Sequence, residues 1–124
     1  MIETTKAIGN VGEHVATELL TSVGYAIVER NARIGNVEVD IVARHANRLV
    51  IVEVKTRRDD HLDDRFGLDA AKLRRLARAG STYVRMHNLP LEVQIDAVLI
   101  TNHFNAPPTV EHIPDILLPP FRRR

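Results

Sequence analysis

Gly35-Asn36-Val37-Glu38-Val39-Asp40-Ile41-Val42-Ala43-Arg44-His45-Ala46-Asn47-Arg48-Leu49-Val50-Ile51-Val52-Glu53-Val54-Lys55-Thr56-Arg57-Arg58 reads as two strands joined by a tight turn. Residues 37–43 alternate with period two, and residues 49–55 stay apolar until Glu53 and Lys55. Both runs are rich in Val and Ile, which suit a pleated sheet. The polar segment between them, residues 44–48, places Asn47 where a left-handed turn residue is needed. Folding the hairpin about Ala46 and Asn47 sets Val39 against Val54, Ile41 against Val52 and Ala43 against Val50, all apolar and on one face. Glu38 then opposes Lys55, Asp40 opposes Glu53 and Val42 opposes Ile51 on the other. A slip of one residue would exchange the two faces, so the apolar pattern selects this register.

Directly opposed side chains have β-carbons roughly 4.5–5.5 Å apart. At that spacing Asp40 and Glu53 can share a cation, with Lys55 two residues along the same face. Like charges in opposition destabilise a strand pair and call for a positive partner. Lys55 supplies part of it, and a divalent cation such as Mg²⁺, which prefers carboxylate oxygens, supplies the rest. A metal held there can activate water and offset charge on a phosphodiester. The competing reading is an ordinary ion-pair cluster on a solvated strand, since exposed pairs are common and energetically weak.

Outward from the hairpin, the 124-residue chain is long enough for one domain with its own core. Its 44% hydrophobic and 27% charged residues are those of a water-soluble globular protein. With no cysteine, disulfides and thiolate metal sites are excluded. No apolar run approaches a membrane span and no basic-then-apolar leader opens the chain, so a cytoplasmic protein without a membrane partner is expected. A net charge of +1 does not by itself argue for nucleic acid, so the distribution of charge has to. Residues 1–118 are expected to form a single domain, and 119–124, Pro-Pro-Phe-Arg-Arg-Arg, a separate tail.

Before the hairpin, Thr4 or Thr5 is a plausible cap for a helix to about Val23, with Gly24 as its stop. Ile8, Val11, Val15, Leu19 and Val23 recur at helical spacing as its apolar stripe, and Glu13 falls at the border of that stripe beside Ala16 and Leu20. It is either a solvated boundary residue or a carboxylate aimed along the sheet. Residues 25–30 read as a strand. Arg30 and Arg33 then either meet phosphate or pair with nearby acids. After Lys55, residues 56–67 are nearly all charged and read as a loop, where His61 is a conceivable proton shuttle but more simply a solvated side chain.

Asp69 begins a second helix to about Met86. Leu73, Leu76, Ala77, Gly80, Tyr83 and Val84 form its inner face; Arg74, Arg75, Arg78 and Arg85 gather opposite, with Lys72 nearer the core edge. A one-signed stripe suits phosphate, and equally a solvated face or an arginine-rich contact with a partner. Residues 91–101 form another strand, in which Asp96 interrupts a buried run and is expected to pair with an arginine of the helix. Residues 109–113 form a short edge strand before Pro114. The order α-β-β-β-α-β-β implies an α/β (mixed α+β) fold, a central mixed sheet of about five strands flanked by helices.

Asp40 followed by Glu53-Val54-Lys55 on the next strand resembles the D…(D/E)-x-K signature of the PD-(D/E)xK nucleases. Gly12-Glu13, Gly24-Tyr25, Arg30-Asn31-x-Arg33, residues 38–43, residues 52–57 and Phe66-Gly67 followed by Lys72 come in the order and spacing of the YraN-type family of small bacterial proteins. The resemblance covers roughly residues 8–113. It implies a restriction-endonuclease-like core related to Holliday-junction resolvases. It also implies that Glu13, Asp40 and Glu53 hold Mg²⁺ or Mn²⁺, that Lys55 orients the attacking water, and that Glu38 supports the site from one pleat away. A homodimer addressing two strands of structured DNA would follow, with Arg30, Arg33, Arg57, Lys72, Arg74 and Arg78 as phosphate contacts. Two positions depart from the pattern. Val37 replaces a usual Gly, and Gln94 replaces an Arg common before Asp96, removing one partner for a phosphate or carboxylate. The alternative from a different class is a non-catalytic nucleic-acid-binding or interaction protein on the same fold.

Overall fold

A computed structural model of the protein describes residues 5–58 and 68–116, with side chains from Val11 onward in the first helix. His61, Phe66, Gly67 and the arginine tail lie outside the described residues. The elements run α1 (Thr5–Ser22), β1 (Ala26–Ile34), β2 (Val37–His45), β3 (Arg48–Arg58), α2 (Ala70–Met86), β4 (Glu92–Asn102) and β5 (Thr109–Ile113). The five strands form one sheet in sequence order. β3 and β4 are parallel and the other neighbours antiparallel. A parallel pair needs a crossover, and α2 provides it.

Alternate residues of β3 point to opposite faces, which builds two cores. Leu49 and Ile51 pack with Leu73, Leu76, Ala79 and Tyr83 of α2. Val50 and Val52 pack with Ala16 and Leu20 of α1 and with Val98 and Ile100 of β4. The sheet is thus sandwiched between single helices. Both helix ends were written locally. Gly24, at φ 97°, lets its N–H reach Thr21 O (3.1 Å) and that of Tyr25 reach Leu20 O (2.9 Å). Asn88, at φ 51°, ends α2 with the same pair of bonds, to Arg85 O and from Leu89 to Val84 O. Asp69 caps the start of α2 by accepting from Lys72 N–H at 2.8 Å.

Several expectations are corrected. The buried side of α1 is Gly12, Glu13, Ala16 and Leu20, whereas Val11 is 60% and Val23 49% exposed. Periodicity ranks Val above Gly and Ala, but small residues let the helix lie close: a Cβ on Gly12 would stand 2.9 Å from Thr56 Oγ1. β1 runs on to Ile34 and β3 to Arg58, because the charged end of β3 continues its ladder with β4 as far as Arg58 and Asn102. In the hairpin it is Ala46, not Asn47, that carries the positive φ (54°). Asp96 pairs with no helix arginine. It is fully buried on the side of α1, accepting from Tyr25 Oη (2.7 Å), Gln94 Nε2 (2.8 Å) and Asp115 N (2.9 Å), with His112 Nε2 at 2.8 Å. Gln94, where the family pattern has Arg, thus serves this carboxylate through its amide.

Candidate acidic site

The hairpin register is as the apolar pattern requires from Ile41↔Val52 to His45↔Arg48. Beyond Ile41 the ladder stops, so the expected backbone pairings of Asp40 with Glu53, of Val39 with Val54 and of Glu38 with Lys55 are not made. Instead the Asp40 side chain accepts the Val54 N–H through Oδ2 at 2.8 Å. A carboxylate thereby replaces the backbone acceptor and the two strands part. Val39 turns to the core beneath α2 while Ile41 remains in the one beneath α1, so the alternation breaks at Asp40. On the other side of β2, Ala32 pairs with Val39 and Arg30 with Ile41, leaving Asn31 beside Asp40 with a left-handed backbone, φ 53°.

Around this fork gather side chains from five elements. Glu53 of β3 is 6% exposed, and its carboxyl lies within electrostatic reach of Asp40. Burial, then Asp40, pushes Glu53 up to about 7 against the opposing pull of Lys72. Glu13 of α1 is 9% exposed; burial and the charge of Asp40 raise its pKa, while Arg30 and the Asn31 amide act the other way. Glu13 Oε1 is buried without a hydrogen-bond donor. Lys72 Nζ stands 3.1 Å from the buried Glu53 Oε2, close enough for charge compensation.

The ammonium against Glu53 is therefore that of Lys72, for which the family resemblance implies a phosphate contact. Lys55 is partly exposed and makes no ion pair with either acid among the described residues. The charge of Arg30 acts on Glu13, and Arg33 pairs with Glu38 at 3.4 Å on the exposed surface. Arg57 is half-buried near the end of β3. Arg74, Arg75, Arg78 and Arg85 are all exposed along α2. Asn31 was missed as a site residue. Its signal was an Asn in a strand, a residue that tolerates positive φ.

Three carboxylates offer the hard oxygens that Mg²⁺ favours; buried Glu13 Oε1 has no donor, and buried Glu53 Oε2 faces the Lys72 ammonium. Among the described residues no three His, Cys, Asp or Glu side chains are grouped so as to hold an ion, so the expected triad of Glu13, Asp40 and Glu53 is not assembled. Asp40 and Glu53 are the electrostatically coupled pair, and a pair is what Mg²⁺ commonly uses, taking its remaining ligands from water and substrate phosphate. The donor set fits such an ion.

No described helix is long and apolar enough to cross a membrane. Residues 12–100 match the family described as "Uncharacterised protein family UPF0102". A UPF0102 protein of Leifsonia xyli subsp. xyli is 37% identical over 112 residues, covering 89% of this chain and 95% of the relative. One from Phocaeicola vulgatus is 35% identical over 118 residues (91% and 93%), and one from Symbiobacterium thermophilum 41% over 100 residues (76% and 81%). The match spans both helices' buried faces and every acid of the fork, and the chain belongs to the UPF0102, or YraN-type, family.

Proposed function

We propose that this protein is a Mg²⁺- or Mn²⁺-dependent endonuclease that hydrolyses phosphodiesters of structured DNA in the cytoplasm, on a restriction-endonuclease-like core. The observation that carries the reading is the burial of Glu53 and Glu13 beside the half-buried Asp40 where β2 and β3 part, with burial and Asp40 together raising the pKa of both glutamates. A chain gains nothing in stability by pressing ionisable carboxylates together out of water. Asp40 and Glu53 would hold the ion, with Glu13 reaching it directly or through water. A bound ion would lower the pKa of its water and offset charge on the phosphate. Asp40 is held in place by the Val54 N–H, and Glu53 by the rigid centre of the sheet. Lys55, further along β3 and partly exposed, is the group to orient the attacking water. Arg74 and Arg78 would contact the backbone of the substrate, and two copies would address two strands.

The test is incubation with linear duplex, single-stranded, flap and four-way-junction DNA in Mg²⁺, Mn²⁺ or EDTA. Metal-dependent product is expected from the wild type and none from Asp40→Asn or Glu53→Gln. Salt-sensitive binding with no metal-dependent product on any substrate would instead assign a binding protein on this fold.

A further inference from the structure

Lys72 is the one side chain from α2 that enters the acidic fork among the described residues. Its place is set by the helix start. Its own N–H is fixed by the Asp69 carboxylate at 2.8 Å, and the next residue, Leu73, is buried in the core between α2 and the sheet. The ammonium reaches Glu53 Oε2 at 3.1 Å with the lysine side chain 28% exposed and the glutamate side chain 7% exposed. The bridge therefore has a solvent-facing end and a buried end. At 3.1 Å the ammonium compensates the charge of that oxygen. Lysine carries its charge as a compact point on a flexible stem, which can be withdrawn toward water without disturbing the helix.

We infer that Lys72 is a built-in counter-ion that occupies Glu53 in the metal-free protein and must be displaced for a divalent cation to bind, so that Lys72 sets the metal affinity of the site. The inference rests on the metal-dependent reading above and deepens it. An ammonium and a divalent cation compete for the same carboxylate oxygen, and where both remain nearby they repel. The bridge keeps the acids compensated between turnovers. Once displaced, the ammonium lies at the mouth of the fork as a positioning residue facing the incoming phosphate.

Isothermal titration calorimetry with Mn²⁺ alone, without DNA, tests this. Lys72→Met and Lys72→Gln should each bind Mn²⁺ at least about tenfold more tightly than the wild type. Lys72→Arg, which keeps the charge, should stay near the wild-type affinity. Arg44→Gln, which removes the same charge at the hairpin end of β2, should leave it unchanged. Far-UV circular dichroism confirms that each variant is folded, and the two neutral variants guard against failure of either. Equal Mn²⁺ affinity in wild type and both neutral variants, with binding abolished by Asp40→Asn, overturns the counter-ion role and leaves the metal site standing. Absence of any Mn²⁺ binding that depends on Asp40 overturns both.

Discussion

Glu53→Gln should stabilise the metal-free protein above neutral pH, and the size of the effect follows from the site. The Glu53 carboxyl is held up to about 7, against an ordinary value of 4.5. At ~1.4 kcal/mol per pH unit, that difference corresponds to about 3 kcal/mol. The sign is set by which state releases its proton first. Below about pH 4.5 folded and unfolded chains both keep it, and the carboxyl costs nothing. Between 4.5 and about 7 the unfolded chain ionises while the folded one resists, so stability falls as pH rises and then levels off. Glutamine has no such proton, keeps the volume, and can donate its amide to Asp40. Urea unfolding in EDTA at pH 5, 6, 7 and 8.5 measures the difference. The two proteins should be close at pH 5, and the variant should be more stable by about 2–3 kcal/mol at pH 8.5, a midpoint shift of roughly 1–2 M. Curves that run parallel across this range, or a variant that is less stable at pH 8.5, would refute the strained-carboxylate account. Adding Mn²⁺ at pH 8.5 should restore stability to the wild type and do little for the variant.

Three further outcomes follow from packing and charge. Asp96→Ala strips the acceptor from the hydroxyl of Tyr25, the amide of Gln94 and the N–H of Asp115; it should cost about 3–5 kcal/mol, read by calorimetry, with Asp96→Asn intermediate. Gly80→Ala places a Cβ 2.5 Å from Val93 Cγ1 and 3.1 Å from Ile51 Cγ1, so it should destabilise by about 1–3 kcal/mol, and adding Val93→Ala should recover part of the loss. Replacing Arg74 and Arg78 by Gln should weaken DNA binding uniformly across sequences and lower the salt slope of log K by about one per arginine, while thermal unfolding stays within about 0.5 kcal/mol of wild type.

Local chemistry was legible where a single residue carries a local rule. Gly24 ends α1 because it tolerates a positive φ, and Asp69 starts α2 because its carboxylate reaches an N–H three residues on. Period-two alternation set the pairing of Ile41 with Val52 and Ala43 with Val50, since any slip would expose the core. The spacing of Glu13, Asp40 and Glu53 carried the family likeness. The same periodicity misjudged α1, because it weighs hydrophobicity and not closeness of approach, and Gly12 and Ala16 win by being small.

By itself, the sequence determined which segments extend or coil, where they stop, and which acids the strands present. The tertiary structure alone decided that β2 leaves β3 at Asp40, that Lys72 and not Lys55 compensates Glu53, and that Asp96 gathers partners as distant along the chain as Tyr25. Repeating patterns report contacts a few residues away. A carboxylate's partner across layers depends on how closely two helices settle on opposite faces of one sheet, and burial then sets the charge that each acid can bear.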